Sequence, residues 1–293
     1  MTVKDLRQIT VVGLGLLGGS ISLAVLRAFS RAKVVGYAHR ASTRTRAKQL
    51  AVATEVTGSL KSSVAEADLV ILATPICTFE AILGEIADVL PSGCIVTDVG
   101  STKVLPHRWA AGALPKAVHY VGSHPIAGSE QRGLDFARDD LFDRAICILT
   151  TTKKSNRRAV QTLREFWSEL GCTLELMTPA EHDRVFGSVS HLPHMTAVAL
   201  TNANEGDDLK FCGKGFIDTS RIASGPANIW VDVLLTNARN ATRGIDKVIG
   251  ELGRLKKAIE KGNRKQVETL LERARAKRAA LIEYKIRNKE ILS

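Results

Sequence analysis

Hydrophobic residues in the first part of the chain form short runs that alternate with stretches of helical spacing. The run "ITVV" at 9–12 precedes a glycine-rich turn, and "KVVGYA", "ADLVILATP", "CIVTDVGSTK" and "VHYVGSHP" are further strand-like segments. This alternation predicts an α/β fold with a doubly wound parallel sheet. Thr74, Ser101 and His124 fall where these strands end, so we expect them at the carboxyl edge of the sheet, where ligands collect.

The pattern changes after "CTLELM" at 172–177, because from Pro179 onward the apolar residues follow helical spacing. We therefore predict a nucleotide-binding domain over residues 1–177 and an all-helical domain over residues 178–293. The last forty residues are typical of an amphipathic helix with a solvated face. Its apolar positions are Val267, Leu270, Leu271, Ala274, Leu281 and Ile282.

Three glycines with GxGxxG spacing, Gly13, Gly15 and Gly18, lie between the first predicted strand and helix. In this context the spacing permits a tight turn, admits a pyrophosphate and lets the helix pack closely on the strand. The alternative is a glycine-rich turn that binds nothing. The cofactor-binding residues predicted at this turn and at later strand ends are Gly13, Gly15, Leu16, Leu17, Gly18, Thr74, Pro75 and Ser101.

The end of the second predicted strand bears on the choice of cofactor. An acidic residue about 20 positions after the glycines would bind the ribose 2′-hydroxyl of NAD. Here that position is Ala38, and His39, Arg40 and Thr43 follow. Cations and hydroxyls accept a 2′-phosphate that a carboxylate would repel, so the sequence favours NADP, with NAD possible. Alternatively, Arg40 only stacks on the adenine and either cofactor is accepted.

Composition and charge narrow the class of protein. No apolar run reaches the roughly 18 residues of a membrane-spanning helix, and no signal-peptide core precedes the first strand, so we expect a cytoplasmic protein without a membrane partner. The net charge of +11 attracts small anions, and the chain has no RNA-binding or zinc-finger motif, so we expect no nucleic-acid partner. Five scattered cysteines without CxxC spacing predict reduced, mostly buried thiols.

Two segments of the second half contain candidate ligand-binding residues. In "SHLPH", His191 and His194 are three apart, but no neighbouring carboxylate or cysteine completes a metal site, and none is predicted. In "GFIDTSRIA", Arg221 lies near Asp218. An arginine beside a carboxylate and hydroxyls suits bidentate recognition of an anionic substrate. The alternative is an ordinary Arg–Asp surface pair.

The motifs "VVGLGLLGGS", "VTDVGSTK", "GSHPIAGSE", "TPAEHD", "SHLPH" and "GFIDTSRIA" together resemble the prephenate and arogenate dehydrogenase family of tyrosine biosynthesis. The resemblance runs in order across nearly the whole chain. It implies oxidative decarboxylation of prephenate to 4-hydroxyphenylpyruvate, or of arogenate to tyrosine, with hydride transfer to NAD(P). It also implies a Rossmann-like domain followed by a helical domain that forms a homodimer.

The same resemblance implies roles for individual residues. His124 would accept the proton of the substrate's C4 hydroxyl, and Ser101 would hydrogen-bond that hydroxyl and help to position the histidine. A neutral histidine suits this task, with an ionisation expected near its reference pKa of about 6.5. The substrate-binding residues implied or suggested by the motifs are Glu130, His194, Asp218, Arg221 and Trp230.

Other functions stay open on the sequence alone. Ile217 occupies a position where the family often has a basic residue, which leaves open a prephenate dehydrogenase, an arogenate dehydrogenase or a dual-specificity cyclohexadienyl dehydrogenase. A β-hydroxyacid dehydrogenase would place a lysine in the helix that starts the second domain, and "SHLPHMTAVALTNA" contains none. A non-catalytic module that senses NADP or binds nucleic acid is the remaining alternative.

Overall fold

The computed structural model describes residues 2–127 and 131–288. The chain divides into two compact units, residues 1–241 and residues 242–293. The first unit contains the strands, two sheets and the helices around them. The second consists of helix alone in the part of it that is described.

Six strands of the first unit form a parallel sheet in the order β3-β2-β1-β4-β5-β6. This is the strand order of a Rossmann sheet, so the predicted doubly wound fold is confirmed. The strands are β1 Gln8–Val12, β2 Lys33–Tyr37, β3 Glu55–Thr57, β4 Leu69–Leu72, β5 Ile95–Asp98 and β6 His119–Tyr120.

The central strands are buried on both faces, which explains their nearly continuous apolar sequence. Alternate side chains of β1 and β4 enter two separate cores: Val11 and Ile71 lie in one, Val12 and Leu72 in the other. The helices that accompany the strands are α1 Leu16–Ala28, α2 Ala41–Gln49, α3 Leu60–Val64, α4 Phe79–Ile86, α5 Val104–Ala113 and α6 Arg157–Glu169.

A second sheet of three strands was not predicted. Its strands are β7 Gly122–Ile126, β8 Ile146–Thr150 and β9 Thr173–Met177, with β7 antiparallel and β9 parallel to β8. The prediction that "VHYVGSHP" is a single strand of the parallel sheet is wrong. Val121 donates its backbone N–H to Val96 of β5, and from Gly122 onward the backbone pairs with β8 instead. An extended chain that changes partner keeps its alternation of side chains, so the sequence pattern does not mark the change.

The described elements after β9 are helical, as the spacing from Pro179 predicted. They are α7 Pro179–Phe186, a π-helical turn Gly187–His191, α8 Leu192–Asn202, α9 Lys214–Ser220, α10 Ala227–Thr236, α11 Ala238–Glu260 and α12 Arg264–Arg287. Thr178 caps α7 by accepting the backbone N–H of Glu181 at 3.2 Å. The predicted domain boundary near residue 177 therefore coincides with the end of the last strand, and as a division between domains it stays a prediction.

The second unit shows that the charged C-terminal stretch is not one continuous helix. The chain turns at 261–263, where Gly262 has φ +59° and Asn263 caps α12 by accepting the backbone N–H of Gln266 at 3.0 Å. Glu251 on α11 and Arg273 on α12 form an ion pair of 2.7 Å. In the described ranges, no helix combines the length and the apolar character needed to cross a membrane.

Candidate active site

The turn between β1 and α1 leaves room for a ligand beside backbone N–H groups. Gly13 has φ +104°, and a Cβ on Gly18 would lie 1.8 Å from the Gly13 carbonyl oxygen, so neither position tolerates a side chain. A Cβ on Gly15 would meet nothing within 4 Å. Helix α1 begins at Leu16 with neither a side-chain cap nor an acidic residue in its first turn. These features fit the pyrophosphate of a dinucleotide cofactor, with Leu17 in the same helical turn.

The predicted cofactor residues at later strand ends lie along the same edge of the sheet. Thr74 follows β4, which pairs with β1, and a Cβ on Gly13 would lie 2.7 Å from its Cγ2. Pro75 comes next and is exposed, and Ser101 follows β5 and is partly exposed. The structure therefore brings the glycine turn, Thr74 and Pro75 together.

The chain after β2 has no carboxylate near the predicted ribose position. Ala38 is buried, whereas His39 and Arg40 are exposed and Thr43 is partly exposed. Arg44 donates from Nη1 to the carbonyl oxygens of Ala38 and His39 at 3.0 and 2.7 Å. A guanidinium is therefore held against the turn where an acid would bind the ribose of NAD.

His124 is joined to a chain of hydrogen-bonded side chains. Its Nδ1 lies 2.8 Å from Nε2 of His182, and Nδ1 of His182 lies 2.9 Å from Oδ1 of Asp183. The carboxylate of Asp183 accepts the backbone N–H groups of Lys103 and Val104, at 2.7 and 2.9 Å. His124 lies beyond the carboxyl end of β6, as predicted, but inside the antiparallel strand β7, opposite Ile148.

Aromatic packing fixes the planes of the two imidazoles. Phe186, one turn after His182 on α7, stacks on His182 with ring centroids 4.5 Å apart and contacts His124 at 4.8 Å. His182 is fully buried, whereas His124 keeps part of its surface exposed. In the part of the chain that the structure describes, Nε2 of His124 has no hydrogen-bond partner. This nitrogen can therefore meet a ligand.

Burial sets the protonation of both rings. It lowers the pKa of His124 well below the ordinary 6.5, and the nearby His182 and Lys103 lower it further. Burial also lowers the pKa of His182, although the hydrogen bond to Asp183 opposes the effect. Both rings are therefore neutral at pH 7, and the ionisation of His124 that the sequence placed near 6.5 moves to lower pH.

A buried ion pair adjoins these hydrogen-bonded side chains through Lys103, whose backbone N–H binds Asp183. Lys103 Nζ donates to Oδ1 of Asp98, and both side chains are fully buried. Asp98 also accepts the backbone N–H of Gly100 at 2.7 Å and the hydroxyl of Tyr120 at 2.5 Å. Burial and the charge of Asp98 raise the pKa of Tyr120 well above 10, so the phenol donates. These bonds fix the loop after β5, which contains Ser101.

A second cluster contains two of the predicted substrate residues. His194 stacks on Trp230 with ring centroids 3.5 Å apart and planes 6° from parallel. A Cβ on Gly225 would lie 2.3 Å from Trp230 Nε1, so only glycine admits this stack. His194 Nδ1 is buried and has no partner among the described residues. His191 is buried beside this stack, with Nδ1 3.2 Å from Nδ2 of Asn237.

The remaining predicted residues are less closely tied to His124. Arg221 and Asp218 are exposed, on the short turn Arg221–Ser224 and on α9. Ser101 has no hydrogen bond to His124 among the described residues, whereas His182 has one. Glu130 lies outside the described residues. No group of His, Cys, Asp and Glu side chains that could hold a metal ion is found within 2–127 and 131–288.

Sequence reasoning missed His182, Asp183, Lys103 and Asp98 as parts of the site. Asp98 offered a signal, because it ends an apolar strand and a carboxylate there is seldom buried without a partner. His182 and Asp183 occur in "TPAEHD", which contributed to the resemblance but gave no sign of burial. An aspartate in a helix ordinarily faces solvent, and the two N–H groups that bind this one belong to Lys103 and Val104 at the start of α5, 80 and 79 positions earlier.

Comparisons with known proteins agree along the chain. Two family models match: "Prephenate dehydrogenase, nucleotide-binding domain" over residues 21–176 and "Prephenate dehydrogenase, dimerization domain" over residues 178–274. The prephenate dehydrogenase of Bacillus subtilis is 34% identical over 265 residues, covering 88% of this chain and 71% of that protein. The cyclohexadienyl dehydrogenase of Zymomonas mobilis is 31% identical, covering 86% of this chain and 88% of that protein.

A solved structure gives the same result at the level of the fold. The prephenate dehydrogenase of Aquifex aeolicus, crystallised with hydroxyphenyl propionate and NAD+, superposes with a TM-score of 0.88 at 31% sequence identity. The alignment covers 94% of this chain and 99% of that chain. With both family models matched in order and relatives similar over most of their length, this chain belongs to the prephenate dehydrogenase family of oxidoreductases.

Proposed function

We propose that this protein is a prephenate dehydrogenase, which converts prephenate to 4-hydroxyphenylpyruvate and CO2 with hydride transfer to a nicotinamide cofactor. The observation that carries the proposal is the state of His124, a neutral imidazole with Nδ1 bonded to His182 and Nε2 open to a ligand. The relatives named prephenate dehydrogenase support the choice of substrate.

The proposed chemistry assigns His124 the role of proton acceptor. When bound, the nicotinamide supplies the hydride acceptor. Loss of hydride from ring C4 builds positive charge there unless the hydroxyl proton leaves, and Nε2 of His124 takes that proton. Loss of the ring carboxylate as CO2 makes the ring aromatic, so the protein's remaining task is to hold the substrate and cofactor in a reactive arrangement.

The other site residues would bind and orient. Ser101 would hydrogen-bond the C4 hydroxyl from the loop after β5. Arg221 would bind the substrate's carboxylate, Asp218 would lie beside it at the substrate, and the His194–Trp230 stack would line the same end of the substrate site. Glu130 would lie at the entrance. His194 fits this role because its buried Nδ1 has no hydrogen-bond partner among the described residues and can meet a polar atom of the substrate.

The proposed cofactor is NADP in preference to NAD. The absence of a carboxylate at Ala38, the exposed cation of Arg40 and the hydroxyl of Thr43 support it. Arg44 adds a guanidinium fixed at the same turn. The cofactor's pyrophosphate would lie at Gly15, Leu16 and the start of α1. In the alternative, Arg40 only stacks on the adenine and NAD serves equally well.

Arogenate is the alternative substrate, and the cyclohexadienyl dehydrogenase among the relatives supports this alternative. The decisive experiment is a matrix of two substrates and two cofactors, followed by the absorbance of the reduced nicotinamide. We expect the highest kcat/KM for prephenate with NADP. No turnover with either substrate would overturn the proposed function, and turnover with arogenate alone would replace prephenate by arogenate.

We also propose that the protein is a homodimer formed through residues 178–274, the segment that matches the family's dimerization domain. Apolar side chains of the second unit are exposed in the single chain, Ile249, Leu252 and Leu271 among them. Sedimentation equilibrium should give a mass of twice the chain's 31.7 kDa. A small-molecule substrate, no nucleic-acid partner and a cytoplasmic location complete the proposal.

A further inference from the structure

We propose that Asp183 and His182 are positioning residues that fix the tautomer of His124, so that Nε2 is the unprotonated nitrogen facing the substrate. The inference deepens the proposed function and rests on it for its catalytic part. It follows from the three hydrogen bonds that run from the start of α5 to β7.

Asp183 fixes the direction of this series of hydrogen bonds because its carboxylate oxygens can only accept. Each oxygen receives a backbone N–H, from Lys103 and from Val104. A carboxylate is an acceptor only, so the imidazole contact at 2.9 Å requires a proton on Nδ1 of His182. Asp183 is 1% exposed, and water does not compete for these contacts.

The direction of the hydrogen bond at Asp183 then determines the direction of the hydrogen bond between the two imidazoles. A neutral His182 with its proton on Nδ1 has a bare Nε2, which must accept the next hydrogen bond. The contact of 2.8 Å to His124 therefore requires a proton on Nδ1 of His124. A neutral His124 protonated at Nδ1 has its lone pair on Nε2, as a proton acceptor needs.

The same hydrogen bonds stabilise the positive charge that forms on His124 during the reaction. The substrate's hydroxyl proton bonds to Nε2 of His124, and the imidazolium keeps its Nδ1–H toward His182. Asp183 lies beyond His182, so the positive charge faces a buried carboxylate. His182, Lys103 and His191 lower the pKa of His124, whereas Asp183 and Asp98 raise the pKa of His182, the ring between His124 and the carboxylate. The arrangement extends by one imidazole the aspartate–histidine pairing of serine proteases, where loss of the aspartate's acceptor role lowers kcat by about 10⁴.

Replacing Asp183 by asparagine should reverse the direction of these hydrogen bonds without changing the size of the side chain. Asparagine has one amide oxygen where the carboxylate has two. With that oxygen in the place of Oδ2 it accepts from Val104, and its NH2, in the place of Oδ1, faces Nδ1 of His182 and the backbone N–H of Lys103. His182 would then carry its proton on Nε2 and donate to His124, whose own proton would move to Nε2. His124 would face the substrate as a donor and could not take the hydroxyl proton.

The test combines kinetics with nitrogen-15 NMR of histidine-labelled protein, in which the tautomer of each imidazole is read from its nitrogen–proton couplings. The signals of His124 are assigned by their loss in His124→Asn. Wild type should show His124 protonated at Nδ1, and Asp183→Asn should show it protonated at Nε2, with kcat lowered by about 10² to 10⁴ and substrate KM within about threefold. Glu181→Gln, an exposed carboxylate on the same helix, is the matched control and should change neither.

A second variant covers the case in which Asp183→Asn does not fold. His182→Phe keeps an aromatic ring against Phe186 and removes the hydrogen bond, so His124 should lose its single tautomer and kcat should fall. An Nε2-protonated His124 in wild type overturns the inference, as does unchanged kcat or an unchanged tautomer in a folded Asp183→Asn. Since the tautomers are measured without substrate, wild-type inactivity toward both substrates would overturn the proposed function and leave the tautomer result standing.

Discussion

The hydroxyl oxygens of Thr97 and Ser123 lie 2.7 Å apart and join the parallel sheet to the smaller sheet. Ser123 Oγ also accepts the indole N–H of Trp167 at 3.0 Å, and all three residues are fully buried. His124 follows Ser123 directly in β7. The bond therefore fixes the backbone beside the proposed proton acceptor to the strand that ends at Asp98, and the two sheets act together in placing the site.

Removing this junction should destabilise the first unit. Ser123→Ala leaves the N–H of Trp167 buried without an acceptor, which costs about 1 to 3 kcal/mol of unfolding free energy. Urea unfolding of the variant and wild type measures the difference. Ser168→Ala, an exposed serine next to Trp167 in sequence, is the control and should stay within about 0.5 kcal/mol of wild type. Equal stability of both variants would mean that the junction contributes nothing.

Much of the fold could be predicted from local patterns, because the local pattern and the tertiary environment agree there. β1 and β4 are largely apolar since both faces are covered, and the spacing of Gly13 and Gly18 reflects their direct contact. The change of partner at Val121 could not be predicted, because pairing depends on β8, which comes 25 residues later.

Part of the candidate site could likewise be predicted from the sequence, and part of it could not. His124 and the glycine turn could be identified from motifs whose residues are neighbours in sequence. The chain from Asp183 through His182 could not, because it depends on α7 lying across the start of α5. The direction of the pKa shift of His124 is likewise a product of burial, which a motif does not report.

His107 should make stability depend on pH. Burial lowers its pKa from 6.5 to about 4, so between these values the unfolded chain binds a proton that the folded protein does not. The free energy of unfolding should therefore fall as pH drops below about 6.5, by about 3 kcal/mol from this group at pH 4, with no contribution above 6.5. His107→Gln can keep the contact to Thr150 Oγ1 and should flatten this dependence.

The measurement for His107 is urea unfolding at several pH values between about 7.5 and 4.5. His39→Gln, at an exposed position, is the control and should leave the slope unchanged. A slope that is the same in His107→Gln and wild type would contradict the shifted pKa of His107.

Cofactor preference should respond to the residue after β2. Ala38→Asp introduces the carboxylate that would bind a ribose 2′-hydroxyl and repel a 2′-phosphate. The ratio of kcat/KM for NADP to that for NAD should fall by about tenfold or more, equivalent to about 1.4 kcal/mol. Ala38→Asn, similar in size and uncharged, should shift the ratio much less. A wild-type preference for NAD would show that the interpretation of this turn is wrong.

Substrate recognition should depend on Arg221. Arg221→Ala should raise the KM of the substrate by about tenfold or more and leave the KM of the cofactor nearly unchanged, because a guanidinium binds a carboxylate through two parallel hydrogen bonds. Arg221→Lys keeps the charge and loses the two-pronged geometry, so it should lie between Arg221→Ala and wild type. An unchanged substrate KM in Arg221→Ala would make this exposed arginine an ordinary surface residue.

The most direct measurement is the kcat of His124→Asn, with binding of substrate and cofactor titrated separately. Asparagine keeps a hydrogen-bonding side chain beside His182 and removes the proton acceptor, so kcat should fall by about 10² to 10⁴ while both dissociation constants stay near wild type. In wild type, kcat should decrease only at a pH well below 6.5, because burial lowers the pKa of His124. A kcat within about threefold of wild type, or a loss of cofactor binding instead, would contradict the role of His124 as the proton acceptor.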